Sequence, residues 1–471
     1  MALFKSLEKY KDRIALKSNF SGPITFAELV NKTVELKSIM PERSLIFLIA
    51  DNKIGSVINY IASIRNNCVV ILVDHRTNVK NIKNLIKSYK PSLIAAPNSW
   101  IQKEHQDEYK FLKKIYDYSL YKTIYSQSKN IHKDLSILLS TSGSMGIPKF
   151  VKLSKKNLKS NTESIIKYLS ITSKEKSITN MPTNYSYMLS IINSFIESGA
   201  SIFVSKNSIL QKDFWKEYAN EKITSFSGVP YTFEMLIKLG LENLFSPYLK
   251  ILTQAGGKLD INSTKKIISF CKNKNIKFIS MYGQTEASPR MTYLKWKDTS
   301  KKIGSIGKAI PNTKIWLEND NNKRINLPNK IGELVFKGKN VFMGYSKNLE
   351  DLKKSDEKKG ILKTGDLGYF DKDKFFFITG RKNRIIKIFG NRLNLDDVEE
   401  KMKQMQYEIA CKEINEKFYI FFETKFSIDN VLKNLVLITG QNKAAFNCVH
   451  LKNLPRTSSG KINYKKLKIN A

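Results

Sequence analysis

The chain has 471 residues, 41% hydrophobic and 11% aromatic, which is enough for a large buried core and two or three domains and excludes a disordered polymer. No apolar run reaches the ~18 residues of a membrane helix. Met1–Phe20 carries Lys5, Glu8, Lys9, Lys11, Asp12 and Arg13 where a secretory leader would be apolar, so a cytoplasmic protein is expected. The formal net charge of +38 raises nucleic-acid binding. The lysines are nevertheless spread along the whole chain together with abundant Asn and Ile, which reads as compositional bias, and nucleic acid is not the expected partner.

The first part alternates helix and strand. Thr25-Phe26-Ala27-Glu28 reads as a capping box opening a helix through about Ile39. Ser44 to Ala50, Val69 to Val73 and Ser92 to Ala96 read as buried strands, separated by helical patterns at Lys53 to Asn66 and Asn78 to Tyr89. This order predicts a parallel sheet flanked by helices. After a glycine-rich stretch the alternation resumes with helices at Asn184 to Glu197 and Asp213 to Glu221. Strands follow at Ser201 to Val204, Thr224 to Phe226, Lys250 to Thr253 and Lys277 to Ser280. Ligands bind at the carboxyl ends of such strands, which places the loops at Gly256-Gly257 and Tyr282-Gly283 for a site. From about Ile303 short strands and turns predict a small β-rich subdomain. The last stretch reads as a separate α+β unit. The expected fold is α/β: a large N-terminal domain, residues 1–380, with helix-flanked sheets and the β-rich subdomain at about 303–380, and a small mobile C-terminal domain, residues 381–471.

Cys68, Cys271, Cys411 and Cys448, and His75, His105, His132 and His450, have no zinc or disulfide spacing. The chemistry lies elsewhere. In Ser140-Thr141-Ser142-Gly143-Ser144-Met145-Gly146-Ile147-Pro148-Lys149 glycines free backbone N–H groups to converge, hydroxyls add donors and lysine adds charge. Such a loop suits polyphosphate, although alone it is also a tight turn at a strand end, and it is not a Walker A loop. In Tyr282-Gly283-Gln284-Thr285-Glu286 the tyrosine can stack on a base, the threonine can donate to phosphate and the glutamate can hold Mg²⁺ or merely cap a turn. Thr364-Gly365-Asp366 puts a carboxylate on a glycine turn suited to a ribose diol. Gly380-Arg381 and Gly390-Asn391-Arg392 bracket a basic strand, and Pro455-Arg456-Thr457-Ser458-Ser459-Gly460-Lys461 is a second lysine loop.

In this order the motifs resemble the adenylate-forming superfamily of acyl-CoA synthetases, peptide-synthetase adenylation domains and luciferases. Its phosphate loop is similar to Thr141–Lys149, its adenine segment to Ala255-Gly256-Gly257, and its Tyr-Gly-x-Thr-Glu motif to Tyr282–Glu286. Gly332-Glu333-Leu334 through Gly344-Tyr345 resembles the next signature, Asp366 stands in the ribose motif, Arg381 through Arg392 resembles the hinge region, and Lys461 stands in the terminal catalytic loop. The family pattern usually has a small residue where Met145 stands and often aspartate where the hinge residue Asn383 stands.

The resemblance implies an AMP-forming ligase that uses ATP and Mg²⁺ to activate a carboxylic acid as acyl-adenylate and passes it to a thiol of CoA or of phosphopantetheine. Thr141, Ser142, Gly143, Ser144, Gly146, Lys149, Ala255, Gly256, Gly257, Tyr282, Gly283, Asp366, Arg381 and Arg392 would bind nucleotide. Glu286 would hold Mg²⁺, Thr285 would contact the α-phosphate, and Lys461 would cancel repulsion between the carboxylate and the α-phosphorus, an effect on the order of several kcal/mol before desolvation. The acid pocket would involve Tyr185, Tyr187, Met188, Ser227, Gly228 and Ala255, with Tyr185 and Tyr187 equally readable as core aromatics. Met188 stands where an ammonium-binding aspartate would be needed, which favours a fatty, hydroxy or aryl acid over an amino acid. Arg290 is expected at the surface, with reading a second polar group of the acid as the alternative. The basic charge tilts the acceptor toward an acidic carrier protein supplied in trans. A non-catalytic nucleotide- or nucleic-acid-binding protein that keeps the fold is the competing class.

Overall fold

The computed structural model describes residues 3–100, 109–126, 130–140, 149–388, 391–414, 417–457 and 460–469. The chain forms two compact units that do not follow chain order. The first comprises Met1–Ile303, Ala309–Lys314 and Lys337–Leu362; the second comprises Gly304–Lys308, Ile315–Phe336 and Lys363–Ala471. The architecture is mixed α/β with helix-flanked sheets, as the alternation predicts.

Among the described residues the first unit holds an eight-stranded sheet centred on Leu45–Ala50, which pairs in parallel with Val69–Asp74 and Leu93–Pro97. Leu45–Ala50 is buried at every position. A parallel strand covered on both faces reads as a continuous apolar run, not an alternating one. The helix Phe26–Glu35 begins at the predicted capping box, with the Thr25 side chain and the Glu28 side chain each bonded to the other's backbone. It ends four residues before the expected Ile39, and Leu36–Ser38 continues as a tighter turn. Two features of this sheet are not in the sequence reading. A hairpin, Lys110–Ile115 with Tyr118–Lys122, closes one edge. At the other edge Gly344–Ser346 adds antiparallel to Phe150–Ser154, pairing Tyr345 with Val151.

A nine-stranded sheet contains Ser225–Gly228, Ile251–Gln254 and Lys277–Gly283 side by side and parallel. Arg290–Leu294 then returns antiparallel against Lys277–Gly283. Phe214, Phe226, Phe233, Leu252, Ile267 and Phe278 form the core beside this sheet. The register sets Ser227 opposite Thr253 and Gln254 opposite Ser280, so the carboxyl ends of these strands lie level with one another.

The second unit carries a five-stranded sheet in which Ile361–Phe370 pairs antiparallel with Phe376–Arg381. Its remaining part has the ribbon Ile385–Ile388 with Asn391–Asn394 and a three-stranded sheet of Ile409–Ile414, Lys417–Glu423 and Asn447–Leu451. The helices Leu395–Gln404 and Ile428–Thr439 bury Val398, Met402, Val431 and Leu435 with Ile420 and Phe422. No helix among the described residues is long and apolar enough to cross a membrane.

Candidate active site

The candidate residues fall into two groups, one in each unit. In the first unit the strand Lys277–Gly283 delivers Tyr282 and Gly283 to its end, and a short helical turn, Thr285–Ala287, follows at once. Gly283 has no room for a side chain, because a Cβ there would collide with the Pro289 carbonyl. The turn is thereby folded tightly back, and its polar side chains gather at one end of the sheet. The Thr285 hydroxyl lies 3.1 Å from the Ser186 hydroxyl at the start of the helix Ser186–Glu197. Glu286 accepts a 3.0 Å hydrogen bond from the Tyr345 hydroxyl. Lys149, which directly follows the glycine-rich loop, sets its ammonium 3.4 Å from the centre of the Tyr345 ring.

One tyrosine therefore joins the lysine of the first motif to the glutamate of the second. Burial, reinforced by the Glu286 charge, pushes the Tyr345 phenol well above its ordinary value, so it stays protonated and donates. The residues Thr141, Ser142, Gly143, Ser144 and Gly146 lie outside the described residues.

The neighbouring strand ends carry the other residues proposed for this side of the site. Gly256 adopts a φ of +88°, open to glycine at little cost, and a Cβ there would approach the Tyr185 hydroxyl to 2.7 Å. Gly257 accepts from the Gln254 side chain at 2.8 Å, and Ser280 donates to the same side chain at 3.2 Å. Ala255 is buried. Ser227 lies 2.7 Å from the Thr253 hydroxyl, and Gly228 ends the same strand. Tyr187 donates to the Thr253 carbonyl at 3.0 Å, and its ring meets that of Tyr185 edge-on with centroids 6.3 Å apart. Met188, next on the helix, is fully buried.

The surface position expected for Arg290 is incorrect. Arg290 is 2% exposed, and its guanidinium carbon lies 3.9 Å from the Tyr187 ring centre. It opens the returning strand Arg290–Leu294 directly after the Glu286 turn, and its side chain lies against Tyr187 of the helix Ser186–Glu197 instead of out in solvent.

In the second unit Asp366 lies in the long strand Ile361–Phe370, just after Gly365, whose φ is +72°. Asp366 is 4% exposed. Its carboxylate accepts from Arg381 Nε at 3.0 Å across the antiparallel register that sets these two residues opposite one another. Thr364 donates to the Leu334 carbonyl at 2.8 Å, anchoring the turn to the strand Gly332–Lys337. Asn383 lies in the short turn Lys382–Arg384, and Arg392 stands opposite Lys387 in the following ribbon.

Lys461 follows Gly460, whose φ is +78°. The loop is tied by Thr457 N–H donating to the Lys461 carbonyl at 2.7 Å and by Arg456 donating to the Gly460 carbonyl at 2.9 Å. The Lys461 residue meets solvent. Crowding by protein around its ammonium, reinforced by the Arg381 charge and opposed by Asp366, nonetheless lowers its pKa to about 8.

No group of three or more His, Cys, Asp or Glu side chains gathers among the described residues. The donors at Glu286 are hard oxygens, a carboxylate with a neighbouring threonine hydroxyl. That set fits Mg²⁺, which is commonly held by one or two carboxylates together with substrate phosphates and water. Sequence reading assigned no role to Tyr345 or Thr253. Only Tyr345 had a signal, its place in the Gly344-Tyr345 signature.

A family model described as AMP-binding enzyme matches residues 3–346. Over 263 residues the chain is 27% identical to an oxalate–CoA ligase of Saccharomyces cerevisiae, covering 55% of this chain and 47% of that protein, so it spans about half of that relative's length. Over 350 residues it is 26% identical to a 2-succinylbenzoate–CoA ligase of Listeria monocytogenes, covering 70% and 69%. In structure it resembles o-succinylbenzoate CoA synthetase from Bacillus subtilis in complex with its acyl-adenylate intermediate, with a TM-score of 0.79 at 19% identity and coverage of 99% and 98%. ATP-bound MatB from Rhodopseudomonas palustris gives a TM-score of 0.74 at 17% identity, covering 97% and 95%. At these identities the structural likeness speaks for the fold.

Proposed function

The chain belongs to the AMP-binding enzyme family, and on that premise we propose that it is an ATP-dependent, AMP-forming ligase that activates a carboxylic acid as an acyl-adenylate and transfers the acyl group to a thiol. The observation that carries this reading is the meeting of Lys149 and Glu286 on Tyr345. A cation next to the glycine-rich loop and a carboxylate next to a threonine hydroxyl are what a nucleotide polyphosphate with its metal requires.

In this reading Lys149, with Thr141, Ser142, Gly143, Ser144 and Gly146, holds the β- and γ-phosphates, and Thr285 contacts the α-phosphate. Ala255, Gly256, Gly257, Tyr282 and Gly283 receive the adenine. Asp366, steadied by Arg381, takes the ribose hydroxyls, and Arg392 belongs to the same nucleotide-binding set. Glu286, oriented by Tyr345, would hold Mg²⁺, which supplies charge neutralisation for the leaving diphosphate. Attack of a carboxylate oxygen on the α-phosphorus forms the acyl–phosphate bond as the bond to diphosphate breaks. Lys461 lowers the repulsion between the two anionic reactants. Asn383 is the proposed pivot of the C-terminal segment, residues 381–471, between the two half-reactions.

Tyr185, Tyr187, Met188, Ser227 and Gly228 form the proposed acid pocket, and Met188 still favours an acid without an α-ammonium group. CoA is the acceptor supported by relatives that are named as CoA ligases. An acidic carrier bearing phosphopantetheine is the alternative, favoured only by the net charge of +38. The test is acid-dependent exchange of labelled pyrophosphate into ATP, followed by thioester formation with CoA. Exchange with at least one acid and thioester formation on adding CoA are expected. Absence of exchange across amino, hydroxy, aryl, fatty and dicarboxylic acids would mean a nucleotide-binding protein without this chemistry.

A further inference from the structure

Arg290 is a permanently charged side chain in an apolar and aromatic setting. Its residue is 2% exposed, and its Nε and Nη1 atoms are buried without a hydrogen-bond partner among the described residues. Among those residues it also has no ion-pair partner. The face of Tyr187 offsets part of the cost of burying the charge, but an unpaired buried charge is disfavoured by more than one cation–aromatic contact returns.

The backbone around this cation is held firmly. The Arg290 carbonyl accepts from Asn161 and from Asn340, both at 2.9 Å. The same two amides also bond the Ala287 carbonyl, at 3.3 and 2.7 Å. Two buried asparagines thus clamp the segment that carries both the Glu286 turn and Arg290. The neighbours of the guanidinium are tyrosines whose hydroxyls are engaged or strongly buried. Tyr187 is committed to Thr253. Tyr168 donates to the Met281 sulfur at 3.0 Å and stacks on Tyr293 at 4.4 Å. Burial pushes up the phenols of Tyr168 and of Tyr185, the latter to about 12, and the Arg290 charge opposes the shift in each. The cation therefore acts on Tyr168 and Tyr185 as well as lying against Tyr187, the residue placed in the acid pocket.

We infer that Arg290 reads a second anionic group on the acid, so that the substrate is an acid carrying an oxyanion, most simply another carboxylate, in addition to the carboxyl that is activated. The inference rests on the ligase reading above and names the substrate class for that site. A carboxylate can take two parallel N–H bonds from a guanidinium, and such charge-assisted pairs are the strong ones. A monoacid gains no such pair and leaves the cation as it stands in the free protein, so the preference for the diacid comes from the pair it forms. Two buried amides spent on fixing the Arg290 backbone are consistent with a group whose position matters.

The test uses the full-length protein and pairs of acids of equal length that differ only in the distal group: a dicarboxylate, its monomethyl ester and the monocarboxylate. Pyrophosphate exchange in the wild type should favour the dicarboxylate by on the order of 100-fold in kcat/KM. R290M should raise KM for the dicarboxylate and erase the difference within each pair, and R290K should restore part of it. The wild-type comparison stands even if R290M fails to fold. Exchange that prefers the monocarboxylate or ester in every pair would overturn the assignment of Arg290 and leave the ligase reading standing, as would a dicarboxylate preference that R290M retains. Exchange with no acid of either kind would overturn the ligase reading and this inference with it.

Discussion

Lys461 carries the sharpest prediction at the level of single residues. Its pKa of about 8 means that the free enzyme holds the ammonium charged below that pH and loses the charge above it. If the charge eases carboxylate attack, kcat/KM for ATP in the exchange reaction falls as pH rises through about 8. In kcat the same limb moves to higher pH, because bound phosphate anions stabilise the protonated lysine. K461R, whose side chain does not titrate, should lose the limb. K461A should slow adenylate formation by at least about 100-fold while sparing thioester formation from a preformed adenylate. Single-turnover measurement of the two steps decides it, and equal loss in both would remove the proposed role.

Elements explain why these side chains meet. The strand Gly344–Ser346 brings Tyr345 to Val151 in the edge pairing, and Lys149 is two residues upstream on the partner chain segment. The Glu286 turn reaches the same place because the Gly283 backbone passes against the Pro289 carbonyl. G283A should therefore lower stability by at least about 3 kcal/mol in urea denaturation. G22A is the control: nothing lies within 4 Å of a Cβ at Gly22, and its effect should stay within about 0.5 kcal/mol. Strand runs were readable in the parallel sheet, for instance Leu45–Ala50, because complete burial makes such a strand continuously apolar. The hairpin Lys110–Ile115 with Tyr118–Lys122 was not readable, since its first strand is largely exposed and lysine-rich.

At the scale of the molecule, the candidate residues are divided between two compact units. Lys149, Thr285, Glu286 and Arg290 belong to the first, and Asp366, Arg381 and Lys461 to the second. The net charge of +38 bears on both of the proposed anionic reactants, ATP and CoA. Long-range attraction of this kind is screened by salt. The kcat/KM for CoA should fall several-fold between about 20 and about 200 mM salt, with kcat nearly constant. A flat profile would mean that the excess lysines have no part in capturing the acceptor.

The amino-acid sequence by itself determined the α/β class, the order of the motifs and the residue types proposed to meet the nucleotide. These are local properties: apolar runs, a capping box, glycine turns and hydroxyl or charged residues at short spacing. Tertiary structure alone decided that Tyr345 joins Lys149 to Glu286, and that Arg290 is buried against Tyr187 without an anionic partner among the described residues. Both depend on contacts between segments distant in sequence, Gly344–Ser346 with Phe150–Ser154 and Arg290 with Tyr187, and such contacts decide whether a charged side chain ends in water. No local pattern around Arg290 records it.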